Sequence, residues 1–185
     1  LTELCIVLEE QGRRVAPVPL FASLVLGGLP LAEFGSESQQ QRYLPALAAG
    51  TAKFSAAIAE LGMNVAIATA VTAQRTQDGW LLSGHKAAVP DGAVANHILV
   101  PAVDAAGQQT IFIVATDAPG VSVRPVEIGL SGQRAAHLDL DNLAIGDDAV
   151  LGAAGQGAEI LEWLEQRANI GHCALQVGVT EEAMK

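Results

Sequence analysis

The sequence predicts an α+β protein laid out in three consecutive segments: helical, then β, then helical again. Three observations carry that reading. The first fifty residues show apolar positions at helical spacing and a helix-capping pattern; from Thr51 the chain breaks into short β-favouring runs separated by Gly, Pro, Asp or Asn; beyond Gly157 the helical period returns. With 185 residues, 50% of them hydrophobic, the chain is long enough to bury a core. Aromatic residues make up only 4%, so that core is expected to pack mainly through Ala, Val, Leu and Ile.

In chain order, Leu1, Leu4, Cys5 and Leu8 fall on one helical face, with Glu3, Glu9 and Glu10 largely off it, and Gly12 to Arg14 is expected to end this amphipathic helix. Pro17 and Pro19 force an extended crossing. The apolar run Leu20 to Leu26 follows as a buried helix, expected to stop at Gly27-Gly28. Ser36 with Gln39 three residues on is a capping box, opening a helix that reaches about Leu44 and resumes after Pro45 until Gly50.

Seven β-type runs come next: Lys53 to Ile58, Ala66 to Gln74, Trp80 to Ser83, His97 to Ala102, Thr110 to Val114, Val121 to Val126 and Ala136 to Leu140. So many short strands suggest a barrel or sandwich. In the last of them Ala136, Leu138 and Leu140 alternate with His137, Asp139 and Asp141, the pattern of a half-buried antiparallel strand. Asp78-Gly79 is a turn dipeptide launching the Trp80 strand, and Gly84 is expected to close it just before a turn carrying His85 and Lys86. From Gly157, the residues Ile160, Leu161, Leu164, Ala168, Gly171, Leu175 and Val179 share one broad helical face, whose small residues permit close approach of a second helix. The expected division is residues 1–50 helical, 51–155 a β-barrel and 156–185 the first helix of a further helical domain.

Charge and special residues narrow the function. A formal net charge of -10 argues against a nucleic-acid partner, because there is no basic stripe to exchange for counterions. Cys5 and Cys173 have no second cysteine or histidine at metal-ligand spacing and read as buried free thiols. His85, His97, His137 and His172 are scattered, with no i,i+4 pair and no carboxylate partner at motif spacing, so no metal site is expected. No run approaches the ~18 apolar residues of a membrane span, and the acidic N-terminal stretch is unlike a signal peptide. A cytoplasmic location is expected, and the helical pattern running up to Lys185 suggests a piece of a longer chain.

The motifs are more specific when taken together. Leu44-Pro45-Ala-Leu47-Ala-Ala-Gly50 leads to Ala57-Ile58-Ala59-Glu60; Asp78-Gly79-Trp80-Leu81-Leu82-Ser83-Gly84-His85-Lys86 follows; then Pro119-Gly120-Val121, Gly132-Gln133-Arg134, and Val150-Leu151-Gly152 to Gly157 with a trailing Arg167. This order and spacing resembles the acyl-CoA dehydrogenase family over nearly the whole chain. The resemblance implies an N-terminal helical domain, a middle antiparallel β-barrel, the start of a C-terminal helical bundle and a bound FAD. It also implies α,β-desaturation of an acyl-CoA thioester, in which a carboxylate takes the α-proton and the flavin takes the β-hydride. On that register the main chain at Ile58 and Ala59 and at Ala88 and Val89 runs along the isoalloxazine ring, Arg167 contacts the acyl-CoA substrate, and the chain associates with itself or with an acyl-CoA dehydrogenase-like partner.

The departures are informative too. Ala59 stands for the usual Thr; Leu61 to Ala66 replaces a Pro-x-x-Gly-Ser-Asp loop; Ala88 and Pro90 stand for the stacking Trp and a Thr; and Gln166, which cannot ionise, occupies a minority position of the catalytic carboxylate. No catalytic residue is therefore assigned within the chain. Read without the resemblance, Trp80 is a packed barrel aromatic, Lys86 a solvated turn residue, Arg134 and Arg167 ion-pairing residues, and Glu60 a strand-end charge. Three functions stay open: an acyl-CoA dehydrogenase-like flavoprotein, a non-catalytic partner subunit of a hetero-oligomeric dehydrogenase, and a non-redox β-barrel binding module. The Leu164, Leu175 and Val179 face would need a covering helix in any of them.

Overall fold

The computed structural model describes residues 1–58, 70–128 and 133–185. Helix α1 spans Thr2–Arg14, with Val15 in the left-handed region at its C-terminus (φ 46°). The helix runs through Gly12 rather than stopping there. That glycine is a contact point: a Cβ on it would lie 2.1 Å from the carbonyl oxygen of Leu175. The next apolar run forms a π-helix, Phe21–Gly28, which continues into α2, Leu29–Phe34, instead of ending at the paired glycines. Gly27 lies against the next strand, where a Cβ would come within 2.2 Å of the Phe54 Cβ. Helix α3, Glu37–Ala48, has the expected capping box, and it passes through Pro45 without a break.

The β region forms one eight-stranded sheet: β1 Phe54–Ala56, β2 Val71–Arg75, β3 Trp80–Pro90, β4 His97–Val103, β5 Gln109–Ala115, β6 Val121–Ile128, β7 Gln133–Ile145 and β8 Val150–Leu151. Its path runs β6-β7-β3-β2-β4-β5-β8, with β1 added beside β4. Pairing is antiparallel except for β1 with β4 and the Thr72–Val103 bridge of β2 with β4. Part of the expected Ala66 to Gln74 run lies outside the described residues. Strand β8 was hidden from pattern reading because two residues carry no periodicity.

Strand β3 corrects the largest expectation. It is eleven residues long and runs straight through Gly84, whose φ of 144° and close approach to the Ala70 carbonyl, 2.2 Å from a would-be Cβ, account for the glycine without a turn. Lys86 is therefore a strand residue, 1% exposed, and not a solvated turn lysine.

Two cores result. Inside the sheet, Trp80, Leu82, Val89, Ile98, Val100, Phe112, Val114, Leu138 and Leu140 pack together. Val121 and Val150, from strands at opposite ends of the path, both touch this cluster, so the sheet is rolled around it as a barrel. Trp80 is a packed barrel aromatic, edge-on to Phe112, with its indole N–H donating to Asp147 at 2.9 Å. The second core lies between the helices and the outer face of β1, β4 and β5, where Leu8, Val25, Leu26 and Leu31 meet Phe54, Leu99, Ile111 and Ile113.

Helix α4, Gly157–Ala183, seals this layer with Ile160, Leu161, Leu164 and Ala168. Leu164 is 1% exposed and Leu175 packs against the same cluster, so most of the face expected to need a cover is already covered here. Val179 remains exposed, and its neighbour Gly178 lies against α1, where a Cβ would come within 1.9 Å of the Glu9 carbonyl oxygen. Cys173 is exposed and Cys5 half-buried, which corrects the expectation of two buried thiols. Buried Gln39 does more than cap α3: its side-chain amide donates to the carbonyls of Asp148 and Val150 at 2.8 and 2.9 Å, docking the helix on β8.

Candidate functional site

Ile58 follows β1, the shortest strand but one, which owes its place to parallel pairing with β4: Phe54, Ser55 and Ala56 lie opposite His97, Ile98 and Leu99. The Ala57 amide extends that pairing to the Leu99 carbonyl at 2.9 Å. Ile58 itself is half-buried against the helical-side core. Ala59, the neighbouring predicted contact, lies outside the described residues, as do Glu60 and Gly132.

Ala88 and Val89 lie in the last third of β3, where the ladder to β7 changes register. Lys86 is opposite Leu138 and Val89 opposite Ala136, so two residues on β3, Ala87 and Ala88, face the single residue His137. This is a β-bulge, and it leaves main-chain polar groups outside the ladder. Ala88 adopts φ 54°, a left-handed conformation uncommon for a residue with a side chain. Val89 turns inward and is 1% exposed, whereas Ala88 is half-buried on the outer side. Asp91 next in line is also left-handed (φ 49°), and its amide donates to the Arg134 carbonyl at 2.9 Å. Burial holds the Asp91 carboxyl above the usual carboxylate range, with Arg134 pulling the other way.

The ends of β1 and β3 are joined by a side chain: the hydroxyl of fully buried Ser55 donates to the Pro90 carbonyl. That bond sets β1, the strand leading into Ile58, beside the end of β3 that carries the Ala87–Ala88 bulge and Val89. Ser55 was missed in the sequence, where a serine in an apolar strand gives no signal of its partner.

Arg167 sits apart from that pair, on the half-exposed side of α4. Its guanidinium stacks over the Trp163 ring at 4.0 Å, donates to the Trp163 carbonyl at 3.2 Å and to the Gln166 side-chain oxygen at 3.2 Å. Trp163 is in turn edge-on to Phe34 at 5.1 Å and borders the same core cluster as Ile58. Gln166 is exposed and spends its oxygen on Arg167. Arg134 is exposed at the start of β7.

On the outer face beside the bulge, His85 hydrogen-bonds Asp139 at 2.7 Å, and Arg124 donates to the same carboxylate at 2.7 Å. These bonds, that of Arg124 first, hold Asp139 below the usual carboxylate range. Among the described residues no group of three or more His, Cys, Asp or Glu could hold a metal ion, and no helix is long and apolar enough to cross a membrane.

A flavin ring edge carries carbonyl and N–H groups that main-chain atoms satisfy. The bulge at Ala87–Ala88 offers such groups, and His137 Nδ1, directly across the ladder, is buried without a hydrogen-bond partner among the described residues. The donor chemistry fits a flavin held by the main chain. Ala88 is too small to act as an aromatic wall, so any affinity rests on polar contacts and on the neighbouring apolar surface.

Comparison with known proteins gives concordant results. Residues 55–143 match the model of the acyl-CoA dehydrogenase middle domain, and residues 1–51 that of the acyl-CoA dehydrogenase N-terminal domain. The chain is 32% identical over 160 residues to the acyl-CoA dehydrogenase FadE12 of Mycobacterium tuberculosis, covering 82% of this chain and 41% of that protein. Among solved structures it is similar to the Tcur3481–Tcur3483 steroid ACAD G363A variant (38% identity, TM-score 0.81, 98% of this chain and 47% of that one). It is also similar to the ChsE4–ChsE5 complex of Mycobacterium tuberculosis (30% identity, TM-score 0.84, 97% and 47%). The chain therefore spans less than half the length of each of these proteins.

Proposed function

Since this chain belongs to the acyl-CoA dehydrogenase family of FAD-dependent oxidoreductases, we propose that it supplies the flavin-edge half of an acyl-CoA dehydrogenase site. The observation that carries this is the hydrogen bond by which Ser55 of β1 holds the bulged, left-handed end of β3 at Pro90. Main-chain groups at Ile58, Ala59, Ala88 and Val89 hold the ring edge. When bound, FAD supplies the hydride acceptor for α,β-desaturation of a thioester.

The residues of this chain bind and orient; none is assigned the proton transfer. A proton acceptor near neutral pH must ionise, and the amide of Gln166 does not. The carboxylate that takes the substrate α-proton is then contributed from outside residues 1–185. Arg167, its guanidinium plane fixed by Trp163, offers its remaining N–H groups to an anionic part of the acyl-CoA. A rigid stacked arginine loses little freedom on binding, which suits a positioning role better than a mobile lysine would.

A second reading draws on Ala88. Where an aromatic wall would stand there is a methyl group, consistent with a subunit that supports a flavin-bearing partner and does not itself run the reaction. Two of the similar structures are named for paired polypeptides, which suits association with an unlike dehydrogenase-like chain. Titration of FAD into the natural protein, purified with whatever chain accompanies it, tests both readings. Saturable flavin uptake that is weakened by Ala88→Glu supports the flavin-edge role. Uptake that is unaffected by that change, with the flavin recovered on the accompanying chain, supports the second reading.

A further inference from the structure

We propose that Ser55 is a positioning residue: its hydroxyl sets the distance between the end of β1 and the Ala88 bulge, and hence the width of the slot that receives the flavin edge. This rests on the flavin-edge reading above. The reasoning begins with the ladders. Among the described residues β1 spends its main-chain bonds on β4, and β3 beyond Gly84 is in register with β7 alone, so no ladder between β1 and the end of β3 is among them. On the flavin-edge reading those two ends bound the slot, and the Ser55 hydroxyl bonded to the Pro90 carbonyl joins them.

The local chemistry explains why this link is a serine. Ser55 is 0% exposed between Phe54 and Ala56, both also 0% exposed, so its hydroxyl is costly there unless it is bonded. Pro90 has no N–H and ends the strand, and the chain turns sharply at left-handed Asp91 immediately after it. A donor from β1 therefore pins the bulged segment at its last extended residue. The other side of β1 is held separately: the Ser23 hydroxyl, from the π-helix, donates to the Phe54 carbonyl at 3.3 Å. The strand is thus fixed by one serine toward the helices and by another toward the slot. That pairing provides an internal control.

The test compares Ser55→Ala with Ser23→Ala in the natural protein. The readouts are FAD affinity, the fine structure of the bound-flavin spectrum, melting temperature, and amide exchange at Ala88, Val89 and Asp91. Each change removes one oxygen and one hydrogen bond of the same kind. Ser55→Ala is expected to weaken FAD binding by about tenfold, the equivalent of one buried hydrogen bond, to blur the spectral fine structure, and to speed exchange at the three amides. Ser23→Ala is expected to lower the melting temperature while leaving FAD affinity within about twofold of native. Ser55→Cys, which keeps a weak donor, should fall between Ser55→Ala and native and serves in place of Ser55→Ala should the latter fail to fold. Native affinity and native exchange in Ser55→Ala would overturn the proposal, as would an equal loss of affinity in Ser23→Ala. If the native protein takes up no FAD, the flavin reading fails by itself; the exchange data still decide whether Ser55 sets the spacing.

Discussion

Replacing Gly178 by Ala tests the packing of α4 on α1, which holds the helical layer against the barrel. A Cβ built on Gly178 lies 1.9 Å from the Glu9 carbonyl oxygen and 2.7 Å from the Arg13 amide nitrogen. An ordinary contact is about 3.5 Å, so the helices must part by roughly 1.5 Å at this crossing. Two effects oppose each other. Alanine raises helix propensity by about 1 kcal/mol over glycine, whereas forcing an atom into a packed contact costs about 1–3 kcal/mol. Both obstacles are main-chain atoms that cannot rotate aside, which puts the cost at the upper end. The net is a loss of about 2 kcal/mol, or roughly 4–8 °C in melting temperature for a chain of this size. Thermal unfolding followed by circular dichroism measures it. An unchanged or higher melting temperature would mean that propensity wins, and would refute the close helix crossing.

Other changes probe the barrel and its pH response. Phe112→Ala empties a fully buried site facing Trp80 and should cost about 3–5 kcal/mol, read by denaturant unfolding; a loss under about 1 kcal/mol would contradict the barrel core. His97 stacks on Phe54 at 4.9 Å, and burial first, then Arg42, hold its imidazole below the usual histidine range, against the pull of Asp117. Its neutral form is the folded one. The stability it contributes is therefore complete above about pH 6.5 and is lost as pH falls below that. In His97→Gln the decline of melting temperature between about pH 6.5 and 5 should become shallower, with His172, shifted the same way by partial desolvation, accounting for part of what remains. Equal slopes would contradict this. Asp147 is held below the usual carboxylate range by the Arg75 hydrogen bond first, with Trp80 assisting. The stability it contributes is present above about pH 4 and is lost in more acid solution, so Asp147→Asn should flatten the acid limb of a pH–melting curve.

Much of the fold was legible because several signals are local. The Ser36 and Gln39 capping box, the Asp78-Gly79 turn and the alternation of Ala136 to Asp141 each depend on neighbours a few residues away, and each is present in the structure. Glycines misled where their reason was tertiary. Gly12, Gly27 and Gly84 read as stops in a one-dimensional pattern, but each marks a place where another element's atoms come too close for a side chain. Lys86 was read as solvated for the related reason that the strand was expected to end at Gly84.

The candidate site was legible only through the order of its motifs. Ile58, Ala88 and Val89 are apolar and carry no chemistry in their side chains; what they contribute is main-chain geometry, which composition does not report. The bulge arises from a register shift against β7, and the Ser55–Pro90 link from a contact across thirty-five positions of sequence. Neither leaves a local trace.

The most direct measurement is a visible absorption spectrum of the natural protein after incubation with FAD and desalting, followed by anaerobic addition of a panel of acyl-CoA thioesters. If the ends of β1 and β3 hold the flavin edge as proposed, the flavin bands survive desalting and bleach with at least one thioester once the proton acceptor is present. A colourless protein, or retained flavin that no acyl-CoA bleaches even with its accompanying chain present, would contradict the assignment of this chain to the flavin-edge half of the site.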